Sequence, residues 1–204
     1  MTVLRAVLTL VRHGETPANV EAVWHGSTDT PLTERGRTQA RAVAAFLGLR
    51  EPAAALYASP LQRARHTAEP IAETLGLPVR TDPDLAEYHL GSWEGRTFRE
   101  LDEEERFWDR AKRDPDFAPH GGESPRQVTE RMAVALRRIA DAHPGGRVVV
   151  VSHGGALSLA LGHLLDGTNN GWRRAMANCA VTELVLDPEP ALLAFNLIDH
   201  LEGI

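Results

Sequence analysis

Two apolar runs in this chain end in the same way. Val7-Leu-Thr-Leu-Val11 stops at Arg12-His13-Gly14, and Val148-Val-Val-Val151 stops at Ser152-His153-Gly154. Short runs of this composition read as strands buried on both faces of a sheet. In an open α/β sheet, chemistry gathers just beyond the carboxyl ends of the strands. If the two strands are parallel neighbours, His13 and His153 meet at one sheet edge. Taken singly, an Arg-His-Gly is as consistent with a solvated strand end. Its repetition as His-Gly on a second buried strand points to a site.

The intervening segments read as alternating strands and helices. An irregular stretch from Asn19 to Pro31 holds His25, Gly26 and Asp29, small and polar residues that suit a loop approaching a ligand with its backbone. Thr33 caps a helix running to about Leu47, with Ala40, Val43, Ala44 and Leu47 on its apolar face. Ala53–Ala58 is a second strand. Ser59-Pro60 then opens a helix that carries Arg63 near its N-terminal end, where backbone N–H groups already favour anions. Arg65 and His66 read as a solvated helix face. A short extended piece follows Leu75. The charged segment from Thr97 to about Arg113 has only a narrow apolar stripe of Leu101, Phe107 and Trp108, and reads as a helical lid outside the main core. Ser124 begins a long helix with Val128, Met132, Ala135, Leu136 and Ile139 on one face. Ala180–Leu186 and Leu192–Ile198 close the sheet. No repeat or linker divides the chain, so a single domain over 1–204 is expected, with a helical lid-like excursion at about 96–123.

Composition excludes several classes. The formal charge of −6 over 204 residues gives no general electrostatic case for nucleic acid or an anionic membrane. The single cysteine, Cys179, excludes an internal disulfide and a multi-cysteine metal site. No stretch approaches a membrane span and the N-terminal run does not read as a secretory signal, so a cytoplasmic protein is the expectation. Walker-type and dinucleotide glycine patterns are absent, as is a Gly-x-Ser-x-Gly elbow. A metal held by His13, His153 and Glu87 lacks the usual close ligand spacings, and a glycine after each histidine fits anion approach better.

Two arginines, two histidines and one acid make a phosphoryl-transfer set. Arginine forks match phosphate oxygens with paired hydrogen bonds. A neutral imidazole can take the phosphoryl group and split the transfer into two steps. A second histidine, protonated, would add positive charge beside the equatorial oxygens. Glu87 sits among Leu85, Tyr88, Leu90 and Trp93, and apolar surroundings that disfavour a bare carboxylate suit a general acid.

At this point the chain resembles the phosphoglycerate mutase-like branch of the histidine phosphatase superfamily. Leu10-Val11-Arg12-His13-Gly14-Glu15-Thr16 is similar to the family signature. Asn19, Gly26, Asp29, Pro31-Leu32-Thr33, Gly36 and Gln39-Ala40 continue the pattern. Ser59-Pro60-Leu61-x-Arg63-Ala64-x-x-Thr67-Ala68 resembles the second block, and Leu85-x-Glu87 with Gly91-x-Trp93-Glu94-Gly95 the third. Gly121-Gly122-Glu123-Ser124 and Val151-Ser152-His153-Gly154-Gly155 complete the series in family order. The resemblance implies an α/β three-layer sandwich, with helices on both faces of a mostly parallel central sheet. It implies His13 as the phosphorylated nucleophile, with Arg12, Arg63 and His153 as the phosphate pocket. Glu87 becomes the acid and later the base. Asn19, Gly26 and Gly154 join the pocket, with His25 at its rim. The implied ligand is a small phosphorylated metabolite, with no metal and no organic cofactor.

Within that branch, cofactor-dependent mutases resemble one another in a Glu-Arg-x-Tyr-Gly segment and a longer middle insertion. This chain has Glu87-Tyr88-His89-Leu90-Gly91, a short insertion, and Ala18 where the family often has Trp. These departures favour a phosphatase with water as acceptor. A mutase would need a bisphosphoglycerate primer. A catalytically weak protein that binds a phosphorylated ligand is the alternative of another class. Leaving-group recognition falls to Tyr88–Glu123, where Trp93, Arg96, Arg99, Phe107 and Trp108 offer apolar and cationic surface. A homodimer is compatible with the sequence.

Overall fold

A computed structural model describes residues 5–119, 121–169 and 174–204. Its centre is a six-stranded sheet. β1 (Val7–Arg12), β2 (Ala53–Ala58), β3 (Val79–Thr81) and β4 (Arg147–Ser152) run parallel; at one side β5 (Val181–Val185) pairs antiparallel with β1, and β6 (Ala191–Leu197) antiparallel with β5. The spatial order is β3-β2-β4-β1-β5-β6.

Side-chain alternation along the central strands separates two cores. Leu8 and Leu10 of β1 and Val148 and Val150 of β4 face one way; Val11, Val149 and Val151 face the other. The first face is covered by α6 (Pro125–Asp141) and α7 (Gly154–Asp166), the second by α2 (Glu34–Gly48) and α3 (Gln62–Leu75). This is the expected three-layer sandwich. Both faces of the central strands are buried, which is why they carry Val and Leu almost without interruption. The long α6 starts where Ser124 and Gln127 cap one another's backbone N–H groups, and its Val128, Met132, Leu136 and Ile139 stripe is buried as the spacing predicts.

Two expectations change. The stretch after Pro17 is not irregular from Asn19: α1 (Pro17–Glu21) forms there. Pro17 occupies the first helical turn, and the side chains of Thr16 and Asn19 close a reciprocal cap, before Ala22 ends the helix at φ 55°. The 96–123 segment folds as α4 (Phe98–Glu103) and α5 (Phe107–Arg113), with His120 outside the described residues. Its inner residues are not outside the main core. Leu101, Phe107 and Ala111 belong to the same buried cluster as Leu8, Leu10 and α6. The stripe is narrow because two short helices bury one turn each, and the charges face solvent.

Register decides the site. Arg12 pairs with Ser152 across β1 and β4, so His13 and His153 leave the sheet in step. The His13 N–H still donates to the Ser152 carbonyl at 2.9 Å, and the Ser59 N–H to the Val151 carbonyl at 3.0 Å. Three strand ends therefore open onto one point.

Candidate active site

That point is a cleft of about 520 Å³ lined by Arg12, His13, Asn19, Arg63 and Glu87 on its polar side and by Trp24, Phe98 and Trp108 on its apolar side. His13 and His153 lie with ring centroids 5.1 Å apart.

His13 is almost wholly buried, and its Nδ1 lies 2.7 Å from the Gly14 carbonyl oxygen. A carbonyl only accepts, so Nδ1 carries the proton and Nε2 keeps its lone pair. Burial first, then the charges of Arg63 and Arg12, holds the imidazole pKa well below the usual histidine value. The ring is thereby held neutral, with the lone pair of one nitrogen oriented. Gly14 is required next to it: a Cβ there would stand 2.5 Å from the Gly36 carbonyl oxygen.

Arg63, at the second position of α3, is buried and spends three N–H groups inside the protein. Nε donates to His153 Nδ1 at 3.2 Å, and the two terminal nitrogens donate to the Thr28 and Gly26 carbonyls at 2.9 and 2.7 Å. One N–H on each terminal nitrogen remains for a ligand. Arg12 donates to the Met176 carbonyl at 2.6 Å, while its Nε is buried with no acceptor among the described residues. Burial lowers the pKa of both guanidinium groups, and Glu87 pulls each back up.

His153 departs from expectation. It accepts from Arg63 at Nδ1, so its proton is on Nε2, which donates to Ser59 Oγ at 2.7 Å. Burial, followed by Arg63 and His13, pushes its pKa well below the ordinary value. A protonated second histidine is therefore replaced by a neutral one, because a cation already sits against it. The positive charge of the pocket is carried by the two arginines.

Glu87 is also set differently. Its carboxylate does not face an apolar cage. Oε1 accepts from the Tyr88 and Ala156 N–H groups at 2.8 and 2.7 Å, and Oε2 from the Gly155 N–H at 3.0 Å. The start of α7 thus serves Glu87. Oε2 accepts one of these bonds and Oε1 two. The glycines after the second histidine act sterically: a Cβ on Gly154 would stand 3.1 Å from Arg12 Nε, and one on Gly155 2.8 Å from Glu87 Oε1. Their smallness makes room for the arginine and the acid.

Asn19 lines the cleft with its Oδ1 taken by Thr16 and by Asn178 Nδ2 at 3.0 Å, so its amide N–H₂ is the group it can offer. His25 borders the cleft, its Nδ1 2.9 Å from Thr30 Oγ1; burial, then Arg63, lowers its pKa. Among the described residues no three His, Cys, Asp or Glu converge on a point that could hold a metal ion.

Comparisons with known proteins give the family. The profile of the Histidine phosphatase superfamily (branch 1) matches residues 8–197. This chain belongs to that superfamily. A metal-independent phosphoserine phosphatase of Arabidopsis thaliana is 42% identical over 204 residues, covering 97% of this chain and 84% of its own. A probable phosphoglycerate mutase, GpmB, of Cronobacter sakazakii is 39% identical over 189 residues, covering 90% and 86%. Among solved structures, a mycobacterial glucosyl-3-phosphoglycerate phosphatase in complex with VO3 superposes with a TM-score of 0.81 at 35% identity, covering 93% of this chain and 98% of that one.

In this histidine phosphatase, every site residue read from the sequence lies in or against one cleft: Arg12, His13, Asn19, His25, Gly26, Arg63, Glu87 and Gly154 line it, and His153 backs it. Sequence reading missed Asn178, which donates to the His13 carbonyl at 2.9 Å, and Ser59 as the partner of His153. It also missed Trp24, which meets Tyr88, Phe98, Phe107 and Trp108 with ring centroids 5.3–5.9 Å apart. Asn178 follows no motif-like pattern; Ser59 stood in the second block and was legible there. Of the residues expected to recognise the leaving group, Trp108 lines the cleft, whereas Trp93 and Phe107 are buried beneath it and Arg96 pairs with Glu104 and Glu105.

Proposed function

We propose that this chain hydrolyses a small phosphomonoester, without a metal, through a phosphohistidine on His13. The observation that carries the reading is the orientation of His13: a neutral ring, proton fixed on Nδ1, its Nε2 lone pair left for the cleft between two arginines. The unsatisfied Arg12 Nε and the remaining N–H groups of Arg63 supply donors for the phosphoryl oxygens, with Asn19 beside them. Nε2 forms the N–P bond as the P–O bond to the alcohol breaks, and the departing oxygen takes the proton from Glu87. In the second half Glu87 removes a proton from water, the water oxygen bonds to phosphorus, and the N–P electron pair returns to His13. Neutral His153 keeps Arg63 oriented.

The whole chain works as one domain in this reading, since α4 and α5 share the core of the central sheet while Phe98 and Trp108 border the cleft. The partner is a small phosphorylated metabolite, and no cofactor is used. The buried lone Cys179 fits a reducing compartment such as the cytoplasm. No helix among the described residues is long and apolar enough to cross a membrane.

Phosphate release across a panel of phosphomonoesters, with a chelator present, tests the reading. Release that persists with chelator and disappears in His13→Ala is expected; unchanged release by His13→Ala refutes the nucleophile. The similarity to a probable mutase favours one second reading, isomerisation of monophosphoglycerate with a bisphosphoglycerate primer. Isomer formation without net phosphate release would select it.

A further inference from the structure

Glu94 lies outside the set of groups that line the cleft, yet its carboxylate is among the most heavily bonded in the molecule. Oε1 accepts from the Ser27 N–H at 2.8 Å, Ser27 Oγ at 2.9 Å and the Leu90 N–H at 3.2 Å. Oε1 also lies 2.7 Å from His89 Nδ1. Oε2 accepts from the Thr28 N–H at 3.0 Å and Thr28 Oγ1 at 2.8 Å. Burial works against the charge, and the hydrogen bonds from Ser27, His89 and Thr28 outweigh it, so the Glu94 pKa lies below the ordinary carboxylate value.

What this carboxylate grips is the loop that aims Arg63. The carbonyls of Gly26 and Thr28 flank the gripped residues and take the two terminal nitrogens of Arg63. The N–H and hydroxyl groups of Ser27 and Thr28 turn toward Glu94, while the carbonyls of Gly26 and Thr28 turn toward the arginine. Gly26 adopts φ +53°, and a Cβ there would stand 2.2 Å from Glu94 Oε1, so loop and carboxylate are in direct contact. The loop is fixed at its far end by Asp29, which accepts from the Gln62 N–H at 2.7 Å, one residue before Arg63. The carboxylate is thus one loop removed from the phosphate-binding guanidinium.

We propose that Glu94 is a positioning residue for phosphate recognition: it holds Gly26–Thr28 in the conformation that fixes the fork of Arg63. The proposal rests on the phosphatase reading for its phosphate ligand. Glu94→Gln places an amide N–H₂ against the donors of Ser27 or Thr28, and neither can accept from it through a backbone N–H. The affinity for inorganic phosphate should fall about tenfold, the scale of one charge-assisted hydrogen bond to the anion, with KM rising in parallel and kcat changing less.

Two measurements make the test decisive. Calorimetric titration with inorganic phosphate reads binding without turnover, and the same titration of Arg63→Ala and of the Arg63→Ala, Glu94→Gln pair closes a cycle. If Glu94 acts through Arg63, the second substitution changes little once Arg63 is gone. Additive losses, or wild-type phosphate affinity in folded Glu94→Gln, overturn the proposal. A loss of thermal stability with unaltered affinity and KM also overturns it and leaves a structural clamp. Absence of both turnover and phosphate binding in the wild-type chain would instead strike the phosphatase reading.

Discussion

Acidification from about pH 7.5 to about pH 5.5 should remove about 2.7 kcal/mol of stability through His13 and His153 alone. Both rings are buried, and burial together with nearby arginines holds both pKa values well below the ordinary histidine value. In the unfolded chain each histidine titrates near its ordinary value, so below about pH 6.5 the unfolded state binds protons that the folded state refuses. Stability is therefore fully present above that value and declines as pH falls. For one histidine, the change over this interval is about 1.4 kcal/mol, as the unfolded fraction protonated goes from small to nearly complete. Two give about twice that. Urea midpoints at constant slope measure it, and a His13→Asn, His153→Asn variant supplies the control. Its absolute stability is immaterial; its pH dependence should be shallower by about 2.7 kcal/mol over the same interval. Equal pH dependence in the two proteins would mean that the buried pair is charged in the folded state, and the assignment of a neutral nucleophile would fall.

Glu87→Gln should spare phosphorylation of His13 by an aryl phosphate, whose leaving group needs little help, and slow dephosphorylation by about a hundredfold or more; acid-quenched labelling should then show accumulated phosphohistidine, and a variant that turns over alkyl phosphates at the normal rate would remove Glu87 from proton transfer. Phe107→Ala, at a fully buried position where α5 meets the main core, should destabilise by about 3–5 kcal/mol in chemical unfolding. A loss below about 1 kcal/mol would return α5 to the status of a detached lid.

The sheet and the convergence of His13 and His153 were legible because both rest on strong local signals. Val-rich runs bounded by His-Gly can hardly be placed elsewhere than in buried strands, and the ordered blocks supplied Arg63 and Glu87. Protonation was not legible. Whether His153 is a cation depends on Arg63 Nε standing 3.2 Å away, from a helix 90 residues earlier in the chain. Likewise the neighbours of Glu87 in sequence are apolar, but its carboxylate turns to the first turn of α7, and only the fold brings those N–H groups near. α1 was obscured by Pro17, which reads as a breaker unless Thr16 and Asn19 are recognised as its cap. Glu94 stood in the third block; that it holds the loop whose carbonyls take the fork of Arg63 was not legible.

The parallel pairing of β1 and β4 has a consequence for how the protein comes into being. His13 leans on Ser152 through its N–H and on Asn178 through its carbonyl, the latter 165 residues away. Neither support exists until the last third of the chain has been threaded beside the first strand. A nascent or partly assembled chain therefore carries His13 without its surroundings, a loose histidine that titrates in the ordinary range and meets water. The cleft beside His13 takes shape only once contacts between opposite ends of the sequence have closed, so a formed cleft is a seal on completed assembly.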